Sequence, residues 1–316
     1  MRYDGVVISR REGSSIVRIQ PCLPERRRPQ LRAALAEGRL LRAIECHNPL
    51  SAMLGSMAEG SHGQRFDALW ASGFAQATAM GLPDAELSLL ERRLDTFGDI
   101  AAVTSLPLIV DADTGGDALA FVHLCRRLEA LGASAIVVED KVGAKRTSLA
   151  ASVRHDLADP LEFIDKIGRA KAAMLSGEVM IFARIESLIA ARGLDDALDR
   201  ADVYLTGAAD GLVIHSKDRS GDEILAFMAG YEALQQRRRI RKPLVLIPTA
   251  YNHLTGAHLH ARGAAIVIHA NHLVRAAFDA MRRTATLLLD HDRSLEADAL
   301  CAPVMDLFDT VGVDIA

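Results

Sequence analysis

The chain has 316 residues, half of them hydrophobic, with 37 Lys and Arg against 41 Asp and Glu. That length fits one large α/β domain or two ordinary ones, and a net charge of −4 argues against a nucleic acid or an anionic membrane as the main partner. Four scattered cysteines (Cys22, Cys46, Cys125, Cys301) without a CxxC pair make neither a disulfide framework nor a zinc site and suit a reducing cytoplasm. No apolar run reaches the roughly 20 residues of a membrane helix, and Met1 to Arg11 lack the apolar core of a signal peptide.

Residues 1–30 read as an extension. The alternating stretch VVISRREGSSIVRIQ, centred on Glu12-Gly13-Ser14-Ser15, predicts a small hairpin, and residues 21–30 read as a basic, solvated connector. From there to residue 316 a β/α alternation predicts one domain. Short apolar runs fall at 41–46, 67–71, 106–110, 134–138, 179–183, 211–214, 244–247 and 264–268. They read as unbroken hydrophobic strands, the pattern of a parallel sheet covered on both faces. Helical spacing fills the gaps, as at 117–131, 194–204 and 223–235, and Gly132 stands where a C-terminal cap belongs. Eight alternations predict a (β/α)8 barrel. An open doubly wound sheet would want a glycine-rich phosphate loop after its first strand, and His47-Asn48-Pro49 stands there instead. Residues 271–316 read as further helices that could pack on a neighbouring subunit. Cys46 reads as a buried small hydrophobe and Trp70 as core or barrel rim.

Such a barrel places its site at the C-terminal ends of the strands. The residues that follow the runs are His47 and Asn48; Ser72 and Gly73; Asp111 and Asp113; Glu139 and Asp140; Arg184 and Glu186; His215 and Ser216; Thr249; and His269 and Asn271. One polar strand end is ordinary, but eight in register point to a site. Asp111, Asp113 and Glu139 come from adjacent strands, and three neighbouring carboxylates repel one another unless a hard cation joins them. This predicts a Mg2+ site. Asp113 alone could instead cap the following helix. Arg184 and His215 suit a phosphoryl or carboxylate group, and Arg184 serves equally well as a structural partner of Glu186. The segment 140–148, basic and glycine-containing, reads as a lid or as an exposed charge-balancing loop.

At these residues the sequence resembles the phosphoenolpyruvate mutase/isocitrate lyase superfamily. The matching stretches are HNPLSA at 47–52, WASGF at 70–74, DADTG at 111–115, GASAIVVEDK at 132–141, ARIESLIA at 183–190, GLVIHSKDRSGDEILAF at 211–227, PTAYN at 248–252 and ANHLVRAA at 270–277. The resemblance implies a (β/α)8 barrel, magnesium, a small α-keto acid substrate, and homodimers or homotetramers formed by swapping C-terminal helices. Lyases of the superfamily resemble KRCGH at the lid, with a catalytic cysteine. Here Thr147 stands in that place, too weak an acid to replace a thiol. The phosphonate branch fits better, and Phe74, Thr147 and Ala250 lean toward its hydrolase.

The implied activity is hydrolysis of phosphonopyruvate to pyruvate and phosphate. The alternatives are a mutase interconverting phosphoenolpyruvate and phosphonopyruvate, and an oxaloacetate-type C–C hydrolase. The resemblance implies roles for Asp84, Lys145, Thr147, Arg184 and His215 at the reacting phosphorus. It places Ser72, Gly73, Phe74 and Ser148 on the substrate and Asp111, Asp113 and Glu139 at the metal. Two departures stand out: Gly143-Ala144 where Phe-Pro is usual, and DTGGDA in place of DTGYGN.

Overall fold

A computed structural model of the chain describes residues 21–87, 90–143 and 156–312. The hairpin expected within 1–20 and the lid residues Lys145, Thr147 and Ser148 lie outside the described residues. In chain order the elements are α1 (Pro24–Arg27), α2 (Gln30–Ala36), β1 (Leu41–Cys46), α3 (Pro49–Met57), β2 (Ala68–Ala71), α4 (Gly73–Ala79) and α5 (Leu90–Ala101). Next come β3 (Leu108–Asp111), α6 (Ala118–Ala130), β4 (Ala135–Glu139), α7 (Pro160–Ala173), β5 (Met180–Ile185) and α8 (Gly193–Thr206). The chain ends with β6 (Gly211–Ile214), α9 (Asp222–Arg238), β7 (Leu244–Leu246), α10 (Gly256–His260), β8 (Ala264–His269), α11 (His272–His291), α12 (Leu295–Asp298) and α13 (Val304–Val311).

The strands pair in parallel, each with its sequence neighbour, and β8 closes on β1. This is the expected (β/α)8 barrel. Strands β3, β4, β5 and β8 run one or two residues past the end of the apolar runs, because the alternation continues into ionisable residues. Gly132 takes φ +88° just beyond α6, as the cap reading requires. A Cβ there would also stand 2.8 Å from the Cα of Pro24, so α1 lies against a position that must be glycine.

Period-two alternation sorts the strand residues into two cores. Leu41, Ala43, Trp70, Ile109, Val137, Phe182, Val213, Val245 and Ile266 fill the barrel interior, while Ile136, Val138, Ile181 and Leu212 face the helices. Trp70 is therefore core, and Cys46 is fully buried with its thiol pushed up by burial.

The solvated connector expected at 21–30 is corrected by the structure. Residues 24–27 form α1, Gln30 opens α2, and Leu31 seals the interior core at the barrel floor. Arg27 is 1% exposed and donates to the carbonyls of Ala101 at 2.7 Å and Thr104 at 2.6 Å. Composition misleads here because a guanidinium can be buried once backbone carbonyls replace its water. None of the described helices is long and apolar enough to cross a membrane.

Candidate active site

The inward-facing parity of β2 to β6 turns from apolar to polar at the C-terminal ends. Trp70 gives way to Ser72, Ile109 to Asp111, Val137 to Glu139, Phe182 to Arg184 and Glu186, and Val213 to His215. All six of these polar residues are buried. Register does the rest: Glu139 pairs with Arg184 across β4 and β5, which sets the two side chains together. Asp140 has the opposite parity. It faces α8, where Arg200 and Tyr204 bind its carboxylate and the Glu186 amide donates to it, so its role is structural.

Asp111, Asp113 and Glu139 each present a carboxylate oxygen within 4.8 Å of the others. Asp113 does not cap the next helix. Asp117 does, accepting from the Ala120 amide. Instead Asp113 sits at φ +52° and its amide donates to Asp111 Oδ1. Opposite them, the Gly73 amide donates to Asp111 Oδ2 at 3.3 Å. A Cβ on Gly73 would lie 2.6 Å from Asp113 Oδ1, so a glycine is required for the carboxylates to close in.

Three cations border the acids. Lys141 Nζ lies 2.9 Å from Glu139 Oε2 and 2.9 Å from Glu186 Oε2. Arg184 Nη1 lies 3.0 Å from Glu139 Oε1, and its Nε lies 2.7 Å from Glu186 Oε1. Arg93 of α5 reaches Asp113 Oδ2 at 2.6 Å. Burial works against the Arg184 charge, but Glu139, Glu186, Asp111 and Asp84 outweigh it and hold the guanidinium above its ordinary value. Glu186 stays well below the usual carboxylate range despite its burial, held there by Arg184, His215 and Lys141. His215 is held below its ordinary value by burial, with Arg184 and Lys141 adding to the effect.

Four carboxylates (Asp111, Asp113, Glu139, Glu186) thus face three cations, a net negative pocket. Both Glu139 oxygens are buried, and beyond the ion pairs with Lys141 and Arg184 neither receives a hydrogen bond of good geometry. An all-oxygen donor set, negative and left short of donors, fits a hard divalent cation.

Of the remaining expected residues, Ser72 caps α4 by accepting from the Ala75 amide. The Ser72 amide donates to Cys46 O at 3.4 Å and the Gly73 amide to Asp111. That leaves the Phe74 N–H, in the first turn, among the orphan donors of the helix. Asp84 is half-buried, and its charge acts on both Arg93 and Arg184. Arg184 pairs with Glu186, as the structural reading of it requires, and it also reaches Glu139 of the carboxylate cluster and His215. Thr249 and His269 are half-buried and take no part in the carboxylate cluster.

Sequence reasoning missed Arg93, Lys141, Glu86 and Glu45. Lys141 was visible in the EDK stretch without an assigned partner. Glu45 binds His47 Nδ1 at 2.6 Å and accepts from the Leu273 and Val274 amides, anchoring α11 to β1. Its inward parity on β1 was the available signal.

Comparison with known proteins places this geometry. The profile of the phosphoenolpyruvate phosphomutase family matches residues 31–289. Phosphonopyruvate hydrolase of Variovorax sp. (strain Pal2) is 38% identical over 284 residues, 89% of this chain and 93% of the relative. Phosphoenolpyruvate phosphomutase of Tetrahymena pyriformis is 30% identical over 290 residues, 92% of each. Among solved structures, phosphoenolpyruvate phosphomutase of Streptomyces platensis subsp. rosaceus superposes with a TM-score of 0.83 at 36% identity, covering 90% of this chain and 95% of that one. A phosphonopyruvate hydrolase complex with oxalate and Mg2+ superposes at 0.80 and 37% identity, with the same coverage.

Proposed function

This chain belongs to the phosphoenolpyruvate phosphomutase family, and from that membership we propose that it hydrolyses phosphonopyruvate to pyruvate and phosphate with bound Mg2+. The observation that carries the reading is the buried Asp111–Asp113–Glu139 set with Arg184 and His215 on the next two strand ends. Acids that gather a cation lie beside groups that bind a phosphoryl oxygen.

Asp111, Asp113 and Glu139 would hold the metal. Bound there, Mg2+ would supply Lewis acidity toward the charge that develops on the keto oxygen as the P–C bond breaks. The chain's own groups orient the substrate. The Phe74 N–H, with Ser72 and Gly73 beside it, would hold the carboxylate. Arg184 and His215 bind phosphoryl oxygens, joined by Lys145 and Ser148 from the lid. Asp84, whose charge acts on Arg93 and Arg184, would orient the attacking water or accept the phosphoryl group transiently. Thr147, shorter than an asparagine and without an amide to retain the phosphoryl group, favours its passage to water.

The mutase reading has one specific support, the TM-score of 0.83 to a phosphoenolpyruvate phosphomutase. Phosphorus NMR of the protein with Mg2+ and phosphonopyruvate separates the two. Growth of inorganic phosphate with stoichiometric pyruvate is expected. A phosphoenolpyruvate resonance without phosphate would make the protein a mutase and reverse the reading of Thr147.

The same reading includes a homodimer or homotetramer built through the C-terminal helices. Helix α11 exposes Phe278, Met281 and Leu289 and helix α13 exposes Val304 and Met305, apolar side chains of the kind a second copy covers. Light scattering at micromolar concentration is expected to give a multiple of 34.1 kDa.

A further inference from the structure

Arg93 projects from α5, outside the barrel, toward the two aspartates of the DADTG turn. Its Nη1 meets Asp113 Oδ2 at 2.6 Å and its Nη2 donates to the backbone carbonyl of Asp111. One guanidinium thus grips a side chain and a main chain of the same turn. Its own side chain is only 17% exposed. The acids around it are Asp113, Asp111, Glu86 and Asp84, and together they keep it charged against the cost of burial.

Asp113 needs such a grip. It occupies φ +52°, a conformation that a side chain other than glycine adopts at a cost of about 1 kcal/mol. Its two oxygens are also divided: Oδ2 lies on Arg93, whereas Oδ1 points back toward Gly73, beside Asp111 Oδ2. The turn is tied down further along as well. The Thr114 amide and hydroxyl donate to Glu86, and Lys166 Nζ donates to the Thr114 carbonyl at 2.6 Å.

We propose that Arg93 is a positioning residue for the metal site, reserving one oxygen of Asp113 so that the other faces the cation. The proposal rests on the metal reading above. A lysine at this place would supply charge, but not two divergent N–H groups in one plane. The geometry therefore asks for arginine rather than for a positive charge alone. Groups that orient a metal ligand in this way typically contribute about 10- to 100-fold in metal affinity.

The test is titration of the substrate-free protein with Mn2+ as the probe, by calorimetry or electron paramagnetic resonance, on wild type, Arg93→Met and Arg93→Lys. Wild type is expected to bind one Mn2+. Arg93→Met should bind it about 10- to 100-fold more weakly, with Arg93→Lys falling between. Asp113→Asn combined with Arg93→Met should lose little more than Asp113→Asn alone, since Arg93 acts through Asp113. The KM for metal should rise while kcat at saturating metal changes much less. Unchanged or tighter Mn2+ binding in Arg93→Met would overturn the proposal, because Arg93 would then only compete with the cation. If Arg93→Met does not fold, Arg93→Lys alone carries the comparison, and wild-type affinity in it would be equally fatal. Wild type that binds no Mn2+ would instead overturn the metal reading on which the proposal stands.

Discussion

Arg184 Nη2 and His215 Nε2 lie 3.0 Å apart, on the inward faces at the ends of neighbouring strands β5 and β6. Arg184 also spans Glu139 and Glu186, so one guanidinium joins the carboxylate cluster to the imidazole. Arg184→Lys keeps the charge and loses the fork. Its expected effect is a loss of about 10²–10³-fold in kcat, the size seen when a donor to developing charge is removed. Steady-state kinetics with phosphonopyruvate measures it. A loss confined to KM would mean that Arg184 binds the ground state and the transition state equally.

Lys141 pairs with two buried glutamates at once. Lys141→Met leaves Glu139 and Glu186 facing each other with one cation fewer, and breaking a buried pair in this way costs about 3–5 kcal/mol. Urea denaturation should show that loss in the metal-free protein. Added Mg2+ should recover more stability in the variant than in wild type, because the ion takes over the charge on Glu139.

Gly73→Ala tests the closeness of the carboxylates. Its Cβ would stand 2.6 Å from Asp113 Oδ1 and 3.2 Å from Asp111 Oδ2. The acids must move apart, at a cost of about 1–3 kcal/mol. The measurement is the Mg2+ concentration at half-maximal activity, which is expected to rise at least tenfold, about the factor that 1.4 kcal/mol represents.

The stability of the metal-free protein should depend on His215. Burial holds its folded value below the ordinary 6.5. The unfolded chain therefore binds more protons between that folded value and 6.5, and stability rises with pH across this window. Acidification from pH 7 should lower the denaturation midpoint as pH falls below 6.5. His215→Asn should flatten that part of the profile.

Much of this site was legible in the sequence because strand parity is rigid. Once residues 135–139 form a strand with Val137 inward, Glu139 must also point inward, and Arg184 follows from its own strand. Asp111, Asp113 and Glu139 could thus be grouped without coordinates. Arg93 was not legible, since an arginine on an amphipathic helix ordinarily faces water and nothing local marks its reach to Asp113. Arg27 misled for the related reason that its partners are backbone carbonyls of residues 101 and 104, far off in sequence. The resemblance placed Gly73 on the substrate; the structure adds that its amide donates to Asp111 and that its missing side chain leaves room for two carboxylates, a requirement seen only when β2 and β3 stand side by side.

The most direct test of the central claim is phosphonopyruvate turnover against Mg2+ concentration for wild type and Asp111→Ala. Wild type should be inactive after chelation and recover with added Mg2+, and Asp111→Ala should stay near background across the whole range. Full activity of Asp111→Ala with magnesium removed would contradict a metal-assisted P–C cleavage at this cluster.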